Sequence, residues 1–284
     1  YLPKFFIKII ANKYIAGTNI NHAINTVKKI NSIGQLATLD ILGEHTKDKD
    51  SCHKITNEYI DILNHIYKNK LNCNISIKPS HIGSDISKEQ VLTNFTRIQN
   101  HATELNNFIR LDMENSNLTK LTLDLHNNLS INKKNIGLVI QAYLHRSKND
   151  IENLNKNTNI RLCKGIYNEN SQIAIKDPNK INENYIELLE IALDRNIYVG
   201  IATHDTNLIN QCIKLIKKKN ISINNFEFQY LYGVPLNDMI RIYNKNNFKV
   251  RAYVPYGLDW YDYSIRRIKE NPKIATYVIK NLFK

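Results

Sequence analysis

Charged side chains in this sequence stand at the ends of short apolar runs, and their types suggest anion binding and proton transfer. Asp112 and Glu114 are carboxylates two residues apart after one run, and Lys78 and Arg161 are cations after two others. Ammonium and guanidinium groups bind carboxylates and phosphates, and carboxylates act as general acids and bases. The pair Asp112 and Glu114 also leaves a glycosidase open, since alternate residues of a strand share a face.

The segment 253–271 holds the most unusual grouping, two adjacent arginines followed by a glutamate. A helix is predicted there that stops before Pro272. Arg266 and Arg267 point about 100° apart on a helix, so both reach one ligand only when the helix lies along it. Two guanidinium groups together suit a carboxylate or phosphate. The alternative is an exposed helix in which Arg266 pairs with Glu270, four residues further on.

The spacing of the other reactive side chains excludes most further chemistry. The nine histidines form no His-x-x-x-His or His-Glu-x-x-His pattern, so no metal site is expected. The four cysteines form no C-x-x-C pair and are expected to be buried, reduced thiols. No G-x-S-x-G, G-x-G-x-x-G or Walker sequence occurs. Thr203 and His204 directly follow an apolar run, where they either form a helix-capping turn or donate hydrogen bonds to a cofactor.

Eight short apolar runs predict eight buried strands, separated by longer amphipathic segments. Short β-branched runs that end in Gly, Pro or polar residues are typical of such strands. The predicted strands are 36–42, 74–78, 107–113, 136–143, 159–164, 198–203, 226–230 and 249–254. Apolar residues at helical spacing predict helices over 20–31, 116–134, 181–195 and 205–219, with Asp205 as the N-cap of the last.

About eight strand–helix units in one chain predict an α/β fold, the closed (β/α)8 barrel of the TIM type. An open doubly wound sheet is the alternative, although it usually has fewer strands and a Gly-rich turn. No Pro-, Gly- or Ser-rich linker divides the sequence. We therefore predict one domain over 1–284, with a helical lead-in over 1–35 and the barrel over 36–284. A barrel gathers the carboxyl ends of its strands at one mouth, so the polar residues at the run ends are expected to meet there.

The composition excludes several other classes of protein. Of the 284 residues, 42% are hydrophobic, enough for a sizeable core, and low Gly and Pro counts exclude a collagen-like or linker-dominated chain. No apolar stretch is long enough for a membrane span, and no signal peptide is recognisable. The net charge of +13 admits a nucleic-acid or anionic-membrane partner, but the lysines are scattered. Because a bias towards Asn, Ile and Lys explains this charge as well, no nucleic-acid partner is expected.

Taken together, the motifs resemble the proline dehydrogenase family, FAD-dependent (β/α)8 enzymes of proline catabolism. The matching residues of the last segment are Tyr253-Val254-Pro255-Tyr256-Gly257, Trp260, Tyr263, Arg266-Arg267 and Glu270-Asn271. The earlier matches, in the family's order, are LDILGE over 39–44, SIK over 76–78, DME over 112–114, QAYLHR over 141–146, RLCKGIY over 161–167, ATHD over 202–205 and FEFQ over 226–229. Each match is short, but they occur in order and at predicted strand ends. The length is similar to that of the monofunctional bacterial enzymes.

The resemblance implies roles for individual residues. Asp112 and Arg161 fall at catalytic positions of the family. The residues implied to bind the substrate are Lys78, Tyr167, Tyr253, Arg266 and Arg267. The residues implied to contact the cofactor are Met113, Gln141, Arg161, Lys164, Gly165, Ile166, Thr203, His204 and Glu270. The last helix is implied to lie over the active site, and Ile166, where the family more often has Ala, is expected to crowd the flavin slightly.

The resemblance also implies a reaction. L-Proline is oxidised to 1-pyrroline-5-carboxylate by hydride transfer to N5 of FAD, and the electrons pass on to a membrane quinone. This is the first step of proline catabolism to glutamate. A hydroxyproline dehydrogenase of the same class is the nearer alternative, and a basic nucleic-acid-binding barrel is a distant one. The expected location is the cytoplasm, with peripheral contact at an anionic inner membrane as a further expectation.

Overall fold

Eight parallel strands form a closed barrel in the computed structural model, which describes residues 4–131, 133–236, 239–261 and 263–265. The strands are β1 (Leu36–Ile41), β2 (Cys73–Ile77), β3 (Ile109–Leu111), β4 (Ile136–Gln141), β5 (Asn159–Cys163), β6 (Tyr198–Ala202), β7 (Phe226–Leu231) and β8 (Val250–Tyr256). Each strand pairs with the next along the chain, and β8 pairs with β1. The predicted (β/α)8 fold is therefore confirmed.

Helices surround the barrel and connect its strands. They are α1 (Lys4–Tyr14), α2 (Ile20–Ser32), α3 (Lys49–Lys68), α4 (Lys88–Glu104), α5 (Ser116–Ser130), α6 (Ser147–Glu152), α7 (Pro178–Asp194), α8 (Thr206–Lys218) and α9 (Met239–Lys245). A short 3-10 helix, Pro79–Ile82, follows β2. Two helices precede β1, in agreement with the predicted N-terminal addition, and α2 packs against both β1 and β8.

The hydrophobic core lies between the strands and the surrounding helices. Successive side chains of a strand point to opposite faces, and the outward set is aliphatic: Leu39, Ile75 and Leu138 are completely buried. From the helical side, Tyr59 of α3 and Phe95 of α4 belong to the same core and are also completely buried. This outer layer supplies most of the apolar burial that stabilises the fold.

The interior of the barrel, by contrast, is polar, although Val, Ile and Leu dominate the interior of many such barrels. In the layer below the mouth, the Arg251 guanidinium donates to Oε1 of Glu227 over 2.6 Å and to Oδ1 of Asn74 over 2.7 Å. Thr38 also donates to Asn74 over 2.7 Å. Buried polar groups are tolerated when their hydrogen bonds are satisfied. This layer therefore forms a stable platform beneath the mouth.

Local turns explain where the element boundaries depart from the sequence predictions. Strand β3 is shorter than the predicted 107–113, because the Asn107 N–H donates to the Ala102 carbonyl and belongs to the turn that ends α4. Asp205 is the N-cap of α8, as predicted, and accepts hydrogen bonds from the backbone N–H groups of Asn207 and Leu208. Within the described part of the chain, no helix is long and apolar enough to span a membrane.

Candidate active site

The side chains predicted to carry chemistry meet at the carboxyl ends of the strands. At the centre, Nη1 of Arg161 lies 2.8 Å from Oδ1 of Asp112, and both side chains are nearly buried. The Ser76 hydroxyl donates to the same carboxylate oxygen over 2.5 Å, and the Tyr253 hydroxyl donates to Oδ2 over 2.9 Å. These contacts join β2, β5 and β8 to the residue that follows β3, so closure of the barrel creates the cluster.

The electrostatics of this cluster keep Asp112 ionised. Burial alone would raise its pKa, but Arg161 and Lys78, together with the hydrogen bonds from Ser76 and Tyr253, hold the pKa of the Asp112 carboxyl below its ordinary value. The Arg161 guanidinium also lies over the Tyr253 ring, 4.8 Å from its centroid. Asp112 therefore fixes both Arg161 and Tyr253 in defined positions.

A second buried ion pair joins the ends of β1 and β2. Nζ of Lys78 donates to both carboxylate oxygens of Asp40, over 2.8 and 2.9 Å. Burial alone would lower the pKa of Lys78, but the carboxylates of Asp40 and Asp112 raise that pKa above its ordinary value. Lys78 is therefore a permanently charged ammonium near Asp112. An ammonium has three donors, and Asp40 occupies two of them.

Glu114 has different partners from Asp112. Its oxygens accept hydrogen bonds from the backbone N–H of Ser80 over 2.9 Å and from the Ser80 hydroxyl over 2.5 Å. Burial raises the pKa of Glu114. Both carboxylates of the pair are bound to groups within the barrel, which disfavours the glycosidase alternative.

Three buried polar atoms at the mouth lack a hydrogen-bond partner among the described residues. They are Oε1 of Gln141, an acceptor, Nη2 of Arg161, a donor, and the Tyr143 hydroxyl. The other end of the Gln141 amide donates to the Met113 carbonyl over 3.4 Å. Because an unpaired buried polar atom is costly, each of these three atoms is available to hydrogen-bond a ligand.

The segments after β5 and β6 adjoin this position. Nζ of Lys164 lies 2.6 Å from Oδ2 of Asp205, and the Asp205 N–H donates to the Thr203 hydroxyl. His204, between them, follows the end of β6. Thr203 thus takes part in the helix-capping turn that was one of its two predicted roles. The predicted substrate-binding residues Lys78 and Tyr253 lie directly after β2 and on β8, away from the segments that follow β5 and β6.

Glycine is required at position 165 for two reasons. Its φ of +104° is a conformation that other residues rarely adopt, and a Cβ there would lie 2.1 Å from the Tyr143 ring. Ile166 next to it is 50% exposed, and Tyr167 lies in the loop that follows. Cys163 is partly exposed, unlike the buried thiol expected for it. The predicted positions Arg266, Arg267 and Glu270 lie outside the described residues.

Three further residues complete the cluster, namely Asp40, Ser76 and Gln229. Ser76 and Lys78 are two residues apart on one strand face, and Asp40 is the register partner of Ser76. That alternation was a usable signal for Ser76. Gln229 accepts a hydrogen bond from Nε of Arg161 over 2.8 Å across the barrel. No local pattern reveals that contact, which arises only when the barrel closes.

A separate cavity of about 480 Å³ opens beside the mouth, between α2, α3 and the turn after β8. Ile41, Ile62 and Tyr256 form part of its apolar lining, and Glu58 and Asp61 supply carboxylates. None of the three ion pairs at the mouth contributes to it, so it is distinct from the cluster. No group of histidine, cysteine and carboxylate side chains suited to a metal ion occurs among the described residues.

A parallel barrel with paired charges at the carboxyl ends of its strands belongs to the TIM-barrel class of enzymes. The family model described as proline dehydrogenase matches residues 23–279. The sequence is 33% identical over 275 residues to Proline dehydrogenase 1 of Bacillus subtilis (strain 168), covering 96% of this chain and 91% of that protein. It is also 33% identical over 281 residues to the proline dehydrogenase of Deinococcus radiodurans, covering 97% and 90%. The chain belongs to the proline dehydrogenase family and is an oxidoreductase.

Solved structures support the same fold. Proline utilization A (PutA) of Bdellovibrio bacteriovorus, inactivated by N-propargylglycine, aligns with a TM-score of 0.85 and 24% identity over 92% of this chain. A PutA mutant of Bradyrhizobium japonicum aligns with a TM-score of 0.78 and 19% identity over the same share. This chain spans 32% and 31% of the length of those two proteins.

Proposed function

We propose that this protein oxidises L-proline to 1-pyrroline-5-carboxylate with FAD as the hydride acceptor, the first step of proline catabolism to glutamate. Family membership supports the reaction class. The observation that carries the proposal is the charge arrangement at the mouth. Lys78, a cation held by Asp40, lies near the Asp112–Arg161 pair, beside which one buried donor and one buried acceptor lack partners.

The substrate carboxylate binds at Lys78. Two of the three ammonium donors already point at Asp40, so that carboxylate holds the cation in place while the third donor remains for the ligand. Arg266 and Arg267 are proposed to complete the carboxylate site, as the family resemblance implies. Fixing the carboxylate orients the proline ring, and orientation alone lowers a reaction barrier substantially.

The ring packs between aromatic side chains. Tyr253 is held rigidly, because its hydroxyl donates to Asp112 and its face lies against Arg161. Tyr167 is proposed to close the pocket from the loop after β5. A well-fixed aromatic wall gives apolar contact to the ring carbons and excludes water from them.

The cations of the mouth favour the reactive form of the substrate. Hydride leaves the carbon next to the ring nitrogen, and this requires an uncharged amine with a free electron pair. Lys78 and Arg161 are balanced by Asp40 and Asp112. The proposed Arg266 and Arg267 add positive charge that lowers the pKa of the bound amine. The amine proton is released before or during binding, and the product is the C=N compound.

Gln141 and Arg161 fit the polar edge of a flavin ring, since the ring offers both donors and acceptors for their unpartnered atoms. Met113, Lys164, Gly165, Ile166, Thr203, His204 and Glu270 are the further positions proposed to contact FAD. Bound FAD supplies the two-electron acceptor that no amino acid side chain provides. Arg161 is shared by both halves of the mouth and aligns the donor carbon with the acceptor.

The electrons are proposed to pass on to a membrane quinone, in a cytoplasmic enzyme that makes peripheral contact with the anionic inner membrane. The net charge of +13 supports this contact, because basic residues near an anionic leaflet are attracted to it. Flotation with vesicles that contain anionic lipid, compared with uncharged vesicles, tests the contact. A short-chain quinone supplied as the acceptor tests the electron transfer.

Product identification tests the reaction. Purified protein loaded with FAD is incubated with L-proline and an artificial electron acceptor, and the cyclic imine is trapped with o-aminobenzaldehyde. We expect a trapped product from proline and a lower kcat/KM for hydroxyproline. A higher kcat/KM for hydroxyproline would assign the enzyme to that substrate, and no imine from either would refute the proposed function.

A further inference from the structure

Arg161 is oriented by a chain of buried groups that reaches into the layer below the mouth. Its Nε donates to Oε1 of Gln229 over 2.8 Å, and Nε2 of the same amide donates to Oε1 of Glu227 over 2.6 Å. All three side chains are buried. A side-chain amide has an NH2 donor at one end and a carbonyl acceptor at the other. A group that binds the NH2 end of Gln229 therefore turns the carbonyl oxygen towards Arg161.

Glu227 is fixed as an acceptor by its own surroundings. Arg251 donates to both of its carboxylate oxygens, over 2.6 and 3.1 Å, and the Tyr198 hydroxyl donates to Oε2 over 3.1 Å. Burial alone would raise the pKa of Glu227, but Arg251 and the hydrogen bond from Gln229 hold that pKa below its ordinary value. An ionised carboxylate has no proton to donate, so only the NH2 end of the Gln229 amide can face it.

The remaining side of the Gln229 amide is bounded by Gly200 on β6. A Cβ at position 200 would lie 2.3 Å from Nε2 of Gln229, so only glycine leaves room for the amide in this place. The φ of Gly200 is not in the left-handed region, so its backbone conformation does not require glycine. Glycine is required at position 200 because a larger residue would collide with Gln229.

We propose that Glu227 is a positioning residue for Arg161: it orients the Gln229 amide, whose oxygen then fixes the guanidinium at the mouth. With Nε bound to Gln229 and Nη1 bound to Asp112, the rotation of the planar guanidinium is defined. Nη2 is left as the donor of this guanidinium that has no partner among the described residues. This proposal rests on the proposed function only where it concerns turnover; the orientation itself is a property of the folded chain.

The first test observes Arg161 directly in the protein without substrate. The 1H–15N resonance of its Nε group, assigned by its loss in Arg161→Lys, reports the hydrogen bond to Gln229. We expect Glu227→Gln to shift this resonance, because a carboxamide can present either end to Gln229. Gly200→Ala should shift it too, since the added methyl displaces the amide while every charge is retained. Tyr198→Phe removes a different hydrogen bond to the Glu227 carboxylate and should leave the Arg161 resonance unshifted.

The second test is a double-mutant cycle on turnover. Glu227→Gln and Gln229→Leu should each lower kcat/KM for proline by about tenfold or more, since a displacement of about 1 Å can cost a factor of about 100. The double variant should lose no more than Gln229→Leu alone, because Glu227 acts through Gln229. Losses that multiply, or an unshifted Arg161 resonance in both Glu227→Gln and Gly200→Ala, would overturn the proposal. Absence of proline oxidation in the wild-type protein would instead refute the proposed function and leave the resonance test standing.

Discussion

The Lys78–Asp40 pair gives the sharpest prediction, because removal of one partner leaves the other buried and charged. Lys78→Met keeps the length of the side chain but removes the ammonium from Asp40, whose side chain is 1% exposed. Breaking a buried ion pair from one side costs about 3–5 kcal/mol. Since each kcal/mol shifts Tm by about 2–4 °C in chains of roughly this size, we expect Tm to fall by roughly 6–20 °C at neutral pH.

The pH dependence of this loss has a defined sign. Burial already raises the pKa of Asp40, and Lys78 opposes that rise. Without Lys78 the folded-state pKa of Asp40 rises further above the unfolded value, which is about 3.9 for Asp. A group whose pKa is higher in the folded than in the unfolded state stabilises the fold at a pH below its unfolded-state pKa. This stabilisation is lost as the pH rises through the folded-state pKa. The Tm difference from the wild type should therefore be small in acid and grow towards neutral pH.

Thermal unfolding between acidic and neutral pH, followed by circular dichroism, measures this difference. The control is the double variant Asp40→Asn, Lys78→Met, which carries no buried unpaired charge and should regain most of the lost stability. Its KM for proline should still be raised roughly 30-fold or more, the equivalent of about 2 kcal/mol for a missing charge partner. A Lys78→Met protein whose Tm difference does not change with pH would refute the ion-pair reasoning. Recovery of proline binding in the double variant would refute the role of Lys78.

Three other substitutions probe the mouth. Gly165→Ala should lower stability by about 1–3 kcal/mol, measured by denaturant unfolding, because φ is +104° and the new methyl would meet Tyr143. Tyr253→Phe removes the 2.9 Å hydrogen bond to Asp112, and should lower kcat/KM by roughly tenfold and Tm by roughly 3–12 °C, since a hydrogen bond to a charged group contributes about 1.5–3 kcal/mol. Arg266→Met should raise the proline KM while FAD stays bound, measured by steady-state kinetics and by the flavin content of the purified protein.

Two of these substitutions, Gly165→Ala and Arg266→Met, have a matched control. Gly34→Ala also places alanine at a positive φ, +78°, but its Cβ would meet nothing within 4 Å, so it should cost less than Gly165→Ala. Equal losses would argue against the contact with Tyr143. Arg97→Met removes a partly exposed arginine of α4, away from the mouth, and should leave the proline KM unchanged. If Arg266→Met behaves in the same way, Arg266 belongs to an exposed ion-pair helix.

The strand positions were predictable because burial between helices selects short β-branched runs. The runs that became β1, β4 and β5 begin at the predicted residues, and their ends differ by one or two residues. Helix α1 falls within the predicted helical lead-in over 1–35, although bounds were predicted only for the helix over 20–31. The polar interior was missed, since residues such as Asn74 and Glu227 look exposed in a sequence until barrel closure pairs them.

The candidate site, like the fold, could be predicted from the sequence only in part. Asp112 directly follows β3 and Arg161 lies within β5, two residues before its end, so their place near the mouth could be predicted from a barrel alone. That they bond each other, and that Gln229 fixes Arg161, depends on contacts across the barrel between residues 49 and 68 positions apart. The spacing of residues along the sequence does not reveal contacts of this kind. Family resemblance assigned roles to residues but did not reveal these partners.

The visible absorbance spectrum of the purified protein, recorded before and after anaerobic addition of L-proline, tests the central claim most directly. The expected result is a flavin spectrum that bleaches on addition of proline and returns with an electron acceptor. A flavin spectrum that proline leaves unchanged, or protein that binds no FAD, would contradict the assignment of this mouth to proline oxidation.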